Sequence, residues 1–233
     1  MKHFLGNFVK CTLLMIPALC GNAGSLNLNG FAGAGNYNIS VTSYAERKFK
    51  TVYKQQYDFS CGSAALASLL TFHYEDVVDE QSIFLDMFQN GDQERIKAQG
   101  FSLLDMKDYL ERRGYRSDGF KIELDQLLTV SAPAITIVND KGYLHFIIIK
   151  GLTKRQVLVG DPATGVNIIP RDKFEKMWEG RILFVIHDKQ EIAAKYFQNQ
   201  AEWAARMAPL DSAVDRSSLG AVNMLQPGPW DFR

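Results

Sequence analysis

Residues 55–66 read Gln55-Gln56-Tyr57-Asp58-Phe59-Ser60-Cys61-Gly62-Ser63-Ala64-Ala65-Leu66, a polar stretch that opens into an Ala- and Leu-rich helical pattern. Ser60 is a candidate N-cap for a helix that the apolar periodicity continues to about Tyr74. The thiol of Cys61 then lies in the first helical turn, where unpaired N–H groups and the backbone dipole favour the thiolate, the nucleophilic form. The stretch therefore predicts a helix with a reactive cysteine at its start.

The rest of the chain divides into a helical part and a strand part. Residues 81–89 and 103–113 have helical patterns, and Gly114 stands where a helix stop is expected. From Tyr115 onward the pattern changes to short β-branched runs separated by turn residues. We expect strands at residues 134–138, 144–149, 156–159, 167–169 and 182–186, with a short helix at 171–178. Helices followed by an antiparallel sheet define the α+β class.

One domain is expected, because 46% apolar residues in this length can bury a single core. We place this domain at residues 44–189. Residues 24–43, which are rich in Gly and Asn, are predicted to be a flexible linker. Residues 190–208 are predicted to form one amphipathic helix, and residues 209–233 a disordered tail.

The first 23 residues have the pattern of a secretory signal peptide. Basic residues flank a short n-region, and the apolar run at residues 11–19 is too short to span a bilayer. Small residues then favour cleavage after Ala23, with export to the periplasm. Two alternatives stay open: an acylated lipoprotein cysteine at Cys20, although Leu19 stands where a small residue is expected, and an uncleaved anchor or buried helix.

Removal of this segment changes the charge and cysteine content in an informative way. Lys+Arg falls from 26 to 24 while Asp+Glu stays at 26, so the net charge becomes −2. This balance gives no basic surface for nucleic acid, and no later segment is long and apolar enough to cross a membrane.

Cys61 is then the remaining cysteine, an unpaired thiol in an oxidising compartment. Without a Cys-x-x-Cys motif or a Cys/His cluster, we expect neither redox chemistry nor a metal or other cofactor.

A cysteine nucleophile needs a base within hydrogen-bond reach, and three histidines lie outside the signal peptide. His73 is on the same predicted helix as Cys61, about 18 Å away at 1.5 Å per residue, and is excluded. His187 precedes a charged stretch and is predicted to be exposed to solvent. His145 begins an apolar strand and is the candidate base, with a core histidine bonded to a backbone carbonyl as the alternative.

Asp161 is the candidate for the group that orients His145. If the two strands form a hairpin around Thr153, the midpoint of 145 and 161, these two side chains are directly opposite each other. Alone, an aspartate before Pro162 would more often start a turn. Its predicted pairing with His145 favours a catalytic role.

The oxyanion of a covalent intermediate also needs hydrogen-bond donors. Gln55 lies six residues before Cys61, near enough for its side-chain NH₂ and the Cys61 N–H to converge on one oxygen. Spacing alone leaves Gln56 open as a rival.

These motifs, in this order and spacing, resemble the C39 (bacteriocin-processing, double-glycine) peptidase family. The resemblance covers about residues 46–188. It rests on Gln-x5-Cys-Gly-x-Ala-Ala-Leu, His-Phe-Ile-Ile-Ile-Lys-Gly from His145, and Asp-Pro-Ala-Thr-Gly from Asp161. It implies a papain-like fold with N-terminal helices packed on an antiparallel sheet. It also implies Gln55 as the oxyanion-hole residue, Cys61 as the nucleophile, His145 as general base and acid, and Asp161 as its orienter.

Two departures refine the resemblance. Ser60 stands where many members have Asp, and residues 44–49 and 58–62 resemble a stand-alone periplasmic branch, the peptidases encoded with functional-amyloid (Fap) secretion systems. The resemblance implies an exported cysteine endopeptidase. Its partner would be a polypeptide substrate such as an exported component of an amyloid and biofilm system. The alternative is a catalytically dispensable C39-like accessory that only binds its substrate; retention of all four site residues argues against it.

Overall fold

The computed structural model describes residues 24–29, 36–57 and 60–206, and the chain divides into two units at Tyr44. The described part of the first unit is an antiparallel hairpin of β1 (Gly24–Asn29) and β2 (Asn36–Val41). The prediction of a flexible linker over 24–43 is therefore wrong for these two segments. Both contain an apolar residue at every second position, a strand signal that the Gly- and Asn-rich composition obscured. The predicted signal peptide, residues 1–23, and the predicted tail, residues 209–233, lie outside the described residues.

The remaining elements comprise a group of helices and a six-stranded sheet in which every pairing is antiparallel, with the order β3-β8-β4-β5-β6-β7. The α+β class is confirmed. No described helix is long and apolar enough to cross a membrane. The helices are α1 (Tyr44–Lys48), α2 (Cys61–His73), α3 (Glu80–Asn90), α4 (Gln93–Gln99), α5 (Leu103–Arg112), α6 (Gln126–Val130), α7 (Arg171–Met177), α8 (Gln190–Tyr196) and α9 (Gln200–Arg206). The strands after the hairpin are β3 (Ser117–Lys121), β4 (Ala134–Asp140), β5 (Tyr143–Leu152), β6 (Gln156–Asp161), β7 (Gly165–Pro170) and β8 (Ile182–Ile186).

Helix α2 is the centre of the core. Eleven of its 13 residues are buried, because it packs against β5 on one side and against α3, α5 and α8 on others. Its sequence is apolar or small on every face, which is typical of a helix with no solvent side. The buried hydroxyls of Ser63 and Ser68 donate to the helix's own carbonyls at Ser60 and Ala64. The helix therefore crosses the core without an unpaired hydroxyl.

The β5–β6 hairpin corrects the predicted register. The hairpin turn spans residues 153–156 and is closed by the hydrogen bond from Thr153 N–H to Gln156 O. A bulge at residue 150 shifts the strand pairing by one residue. The last ladder pair is Ile148 with Gly160. His145 and Asp161 are thus diagonal neighbours on one face, two residues out of direct opposition. The prediction that they lie directly opposite is wrong, but a diagonal pair is still close enough for long side chains to meet.

The predicted single helix over 190–208 is two short helices, α8 and α9. The break lies at Gln198, which has a φ of 61° and whose N–H donates to Lys150 O at 2.9 Å. The side chain of Asn199 then accepts from Ala201 N–H and starts α9. The amphipathic periodicity of the sequence continues through this break, so the pattern did not indicate it. Residues 207 and 208 lie outside the described part.

A buried ion pair fastens α9 to the sheet. Lys150 of β5 is 1% exposed, and its Nζ donates to Glu202 Oε1 at 2.6 Å and to Thr51 Oγ1 at 2.7 Å. Thr51 Oγ1 in turn donates to Glu202 Oε1 at 2.5 Å. Trp203 packs beside this triangle on Val52. The pair thus joins three parts of the chain: α9, β5 and the segment that leads to α2.

Replacing Glu202 with Ala should leave the Lys150 ammonium buried and unpaired. We expect a loss of about 3–5 kcal/mol in the free energy of unfolding, measured by urea denaturation. The exposed Glu191→Ala on α8 is the matched control and should change it by less than about 0.5 kcal/mol. An equally small change for Glu202→Ala would contradict this description of the ion pair.

Candidate active site

Cys61 is the first residue of α2, and its side chain is buried with 8% exposure at the edge of a cleft. The first α-helical bond runs from Ala64 N–H to Ser60 O. The N–H groups of Cys61, Gly62 and Ser63 precede this ladder and have no carbonyl partner within the helix. Ser60 occupies the predicted N-cap position, but its side chain makes no capping hydrogen bond. The thiol therefore lies beside an uncapped helix N-terminus.

His145 lies near the start of β5 and lines the same cleft as Cys61, the first residue of α2. It is 6% exposed, and its Nε2 is 2.7 Å from Asp161 Oδ1. Its other ring nitrogen, Nδ1, is buried and makes no well-aligned hydrogen bond within residues 36–57 and 60–206. Hydrogen bonds between catalytic groups are often long or poorly aligned when no substrate is bound. The imidazole is oriented through one nitrogen, which leaves the other for chemistry.

The pKa of His145 shows which groups surround the ring. Burial lowers this pKa, but hydrogen bonds and charge interactions with Asp161 and with the Cys61 thiol outweigh burial and raise the pKa to about 9. Cys61 and Asp161 therefore both act on the imidazole, and both favour its protonated form. The ring is buried, but its partner is a carboxylate and not the backbone carbonyl of the alternative interpretation.

Asp161 is held by the turn that follows β6. Its Oδ1 accepts from Ala163 N–H at 2.7 Å, and its Oδ2 accepts from the Thr164 hydroxyl at 2.8 Å. Burial raises the pKa of Asp161, but the hydrogen bond and charge of His145 together with these donors bring it below its usual value. The aspartate thus starts a turn and orients the histidine at the same time.

Gln55 is joined to this cluster through its backbone. Its N–H donates to the carbonyl of Pro162, the residue after Asp161, at 3.0 Å. Its side chain is half-buried, and Oε1 is buried without a hydrogen-bond partner in the described part of the chain. Gln56 is exposed, and its N–H points to Glu80 Oε1 at 3.4 Å. The structure thus links Gln55, and not Gln56, to the aspartate turn.

The other two histidines lie elsewhere. His73 is at the far end of α2 and is buried; burial first, then the charge of Lys150, lower its pKa. His187 bonds to Asp118 at 3.1 Å and is partly covered by Phe120, so the prediction that it is simply exposed to solvent is wrong. The cause is β3, an edge strand with the sequence Ser-Asp-Gly-Phe-Lys. The sequence pattern did not indicate this strand, which pairs with β8.

A cleft of about 600 Å³ opens beside Cys61 and His145. It lies between the start of β5 and the α4–α5 connection. The sequence patterns indicated neither this cleft nor α4. Three apolar side chains of the cleft are largely exposed: Leu104 at 64%, Tyr143 at 51% and Leu144 at 55%. Its further apolar residues include Phe101, Ile137 and Phe146. Such a surface can accommodate apolar side chains of a bound chain.

A thiol at a helix N-terminus that faces an imidazole on an antiparallel sheet, itself oriented by a carboxylate, is the arrangement of the papain-like class of cysteine peptidases. The family model for "Peptidase C39 family" matches residues 49–190. The chain belongs to the peptidase C39 family.

Relatives and solved structures agree with this membership. The chain is 39% identical over 179 residues to a Pseudomonas fluorescens protein named "Probable functional amyloid protease FapD", covering 76% of this chain and 79% of that one. It is 38% identical over 175 residues to the Pseudomonas aeruginosa protein of the same name, covering 75% and 77%. The peptidase domain of Streptococcus ComA aligns with a TM-score of 0.50 at 20% identity, over 58% of this chain and 96% of that domain. This structural likeness supports the fold.

The environment of His145 predicts its titration. Because folding raises its pKa from 6.5 to about 9, its positive charge stabilises the fold fully below pH 6.5, and this contribution is lost as the pH rises to about 9. Ring NMR signals should therefore titrate well above 6.5 in the wild type. Cys61→Ala and Asp161→Asn should each lower the midpoint, because each removes a favourable partner. A wild-type midpoint at or below 6.5 would contradict the described cluster.

Proposed function

We propose that this protein is an exported cysteine endopeptidase that hydrolyses a peptide bond in a secreted or periplasmic polypeptide. One observation carries the proposal: the Asp161 carboxylate lies 2.7 Å from Nε2 of the His145 imidazole, and this ring lines the same cleft as Cys61. A purely structural histidine would not need a thiol beside it. The arrangement provides a nucleophile and a base that line one cleft, and a carboxylate that orients the base.

The chemistry that these residues support is acyl transfer through a thioester. The Cys61 thiolate, paired with the protonated His145, attacks the substrate carbonyl carbon. The protonated His145 then gives its proton to the leaving amine, and the acyl group remains on sulfur. Water, deprotonated by His145, attacks the thioester, and the thiol is released with the acid product. Asp161 keeps the ring oriented through both steps.

The oxyanion that forms in each step would lie at the start of α2. The Cys61 N–H belongs to the uncapped first turn, and the positive end of the α2 dipole favours a negative charge there. The Gln55 side chain is the second donor in this proposal. Its backbone bond to Pro162 supports this role, because it ties the glutamine to the turn that holds Asp161.

The substrate in this proposal is a component of an amyloid secretion system. Both Pseudomonas relatives are named as functional amyloid proteases, and the predicted signal peptide would bring this chain to the periplasm, where such components pass. The exposed Leu104 and Leu144 at the cleft suit a segment with apolar side chains. We expect this thiol-based acyl transfer to need no metal or other cofactor.

Cleavage should depend on the thiol. We expect the purified chain to produce new termini in at least one protein encoded beside its gene, mapped by mass spectrometry, and Cys61→Ala to produce none. If Cys61→Ala retained the biological effect of the wild type, the chain would be a binding accessory of the secretion system. An absence of cleavage across the whole set of neighbouring proteins would contradict the proposal.

The two adjacent glutamines offer a matched pair of variants. Gln55→Ala should lower kcat about 10²–10³-fold, the typical effect of removing one oxyanion donor. Gln56→Ala should lower kcat less than about threefold, because this side chain is exposed and lies outside the cluster. Equal effects of the two substitutions on peptide cleavage would rule out Gln55 as the donor.

The apolar surface predicts a separate effect on binding. Leu104→Ser and Leu144→Ser should raise KM with little change in kcat, because these exposed side chains contact substrate in the ground state and the transition state alike. The exposed Leu128→Ser, outside the cleft lining, is the control. Steady-state kinetics with a peptide spanning the mapped cleavage site measure this, and an unchanged KM would exclude the cleft as the substrate surface.

A further inference from the structure

Ser60 differs from the other N-cap residues that begin the neighbouring helices. Asp79, Asp92 and Ser102 have extended backbones, with ψ of 154°, 97° and 168°, and each side chain accepts a hydrogen bond from the N–H three residues later. Ser60 has φ −95° and ψ 8°, in the bridge region, and caps nothing. Ser102 shows that the same residue type caps normally in this protein. Something specific therefore keeps Ser60 out of the capping conformation.

That constraint is Glu80. The Ser60 hydroxyl donates to Glu80 Oε1 at 2.5 Å, and both side chains are buried, with 0% and 6% exposure. The same carboxylate oxygen accepts weakly from Gln56 N–H at 3.4 Å. The Ser60 oxygen also accepts from Tyr57 N–H at 3.1 Å. Glu80 itself lies in the first turn of α3, where the helix dipole favours its charge.

We propose that Glu80 is a positioning residue that keeps the N-terminus of α2 open for the oxyanion. By accepting the Ser60 hydroxyl, Glu80 holds this oxygen beside its own carboxylate and the Tyr57 N–H, away from the Ser63 N–H that it would otherwise cap. Adopting the capping conformation would rotate the Ser60 Cα–C bond and turn the Ser60–Cys61 peptide, so a cap would also redirect the Cys61 N–H. The function of Glu80 rests on the proposed peptidase activity, in which the Cys61 N–H is an oxyanion donor.

The proposal predicts an unusual interaction between two substitutions. In Glu80→Met, which fills the buried site without an acceptor, Ser60 is free to cap, and kcat should fall about 10- to 100-fold with KM within twofold, less than the loss of a whole donor. Adding Ser60→Ala to Glu80→Met should raise kcat at least tenfold above that of Glu80→Met alone, because alanine cannot cap the helix. If Glu80 only supported packing, the activation free-energy losses of the two single substitutions would add in the double variant.

Three further variants complete the kinetic test, which uses the peptide spanning the mapped cleavage site. Glu80→Gln retains an acceptor and should keep kcat within about threefold, and Ser60→Ala alone should lose no more than that. Gln81→Ala, an exposed neighbour on α3, is the control. If the double variant is as slow as Glu80→Met, or if Ser60→Ala alone loses more than tenfold, the proposal is wrong.

Amide hydrogen exchange separates this proposal from the proposed function. The Ser63 N–H should exchange more slowly in Glu80→Met than in the wild type, because the new cap protects it, and Ser60→Ala should abolish that protection. This result would support the role of Glu80 even if the wild type cleaved no peptide, in which case the peptidase proposal alone would fail. Unchanged Ser63 exchange in Glu80→Met would overturn the positioning role.

Discussion

The burial of α2 on nearly every face is the constraint on which the rest of the structure depends. A helix with this many apolar and small residues has no surface to give to water, so the sheet must cover one side and α3, α5 and α8 the others. The helix is enclosed along its length, and Cys61 at its N-terminal end lines the cleft. The N-terminal end, with Cys61, then lies beside the start of β5 and the end of β6, and the elements that bury the helix also bring His145 and Asp161 to the thiol.

Residues 49–57, which precede α2, form no helix or strand and are held by contacts from several sides. Tyr53 N–H bonds to the buried Ser68 hydroxyl of α2, and Gln55 N–H bonds to the aspartate turn. Thr51 is fastened by the Lys150–Glu202 pair. Glu202 belongs to α9, which lies beyond residue 190, where the family match ends. The C-terminal helices are therefore part of the support of the candidate active site. The buried ion pair fixes geometry, since by itself such a pair contributes little net stability.

Much of this could be predicted from sequence, because the relevant patterns are local. The helical period after Ser60 and the β-branched runs after Tyr115 identified the main elements, and the spacing of Cys61, His145 and Asp161 identified the candidate site. The predictions that were wrong concern features that depend on long-range pairing. The bulge at residue 150 changed the hairpin register, pairing with β8 made a strand of residues 117–121, and the break at Gln198 required a carbonyl from Lys150. The withdrawal of Ser60 from its cap required Glu80, twenty residues away. No local periodicity encodes such partners.

The central claim is that Cys61 carries the acyl group of the substrate as a thioester during turnover. Rapid acid quenching of the chain mixed with its substrate, followed by intact-mass and peptide mass spectrometry, tests it most directly. We expect a transient adduct on Cys61 whose mass equals the N-terminal product less one water. Substrate cleavage that proceeds at the same rate with no adduct on Cys61, or with cleavage retained in Cys61→Ala, would contradict the account.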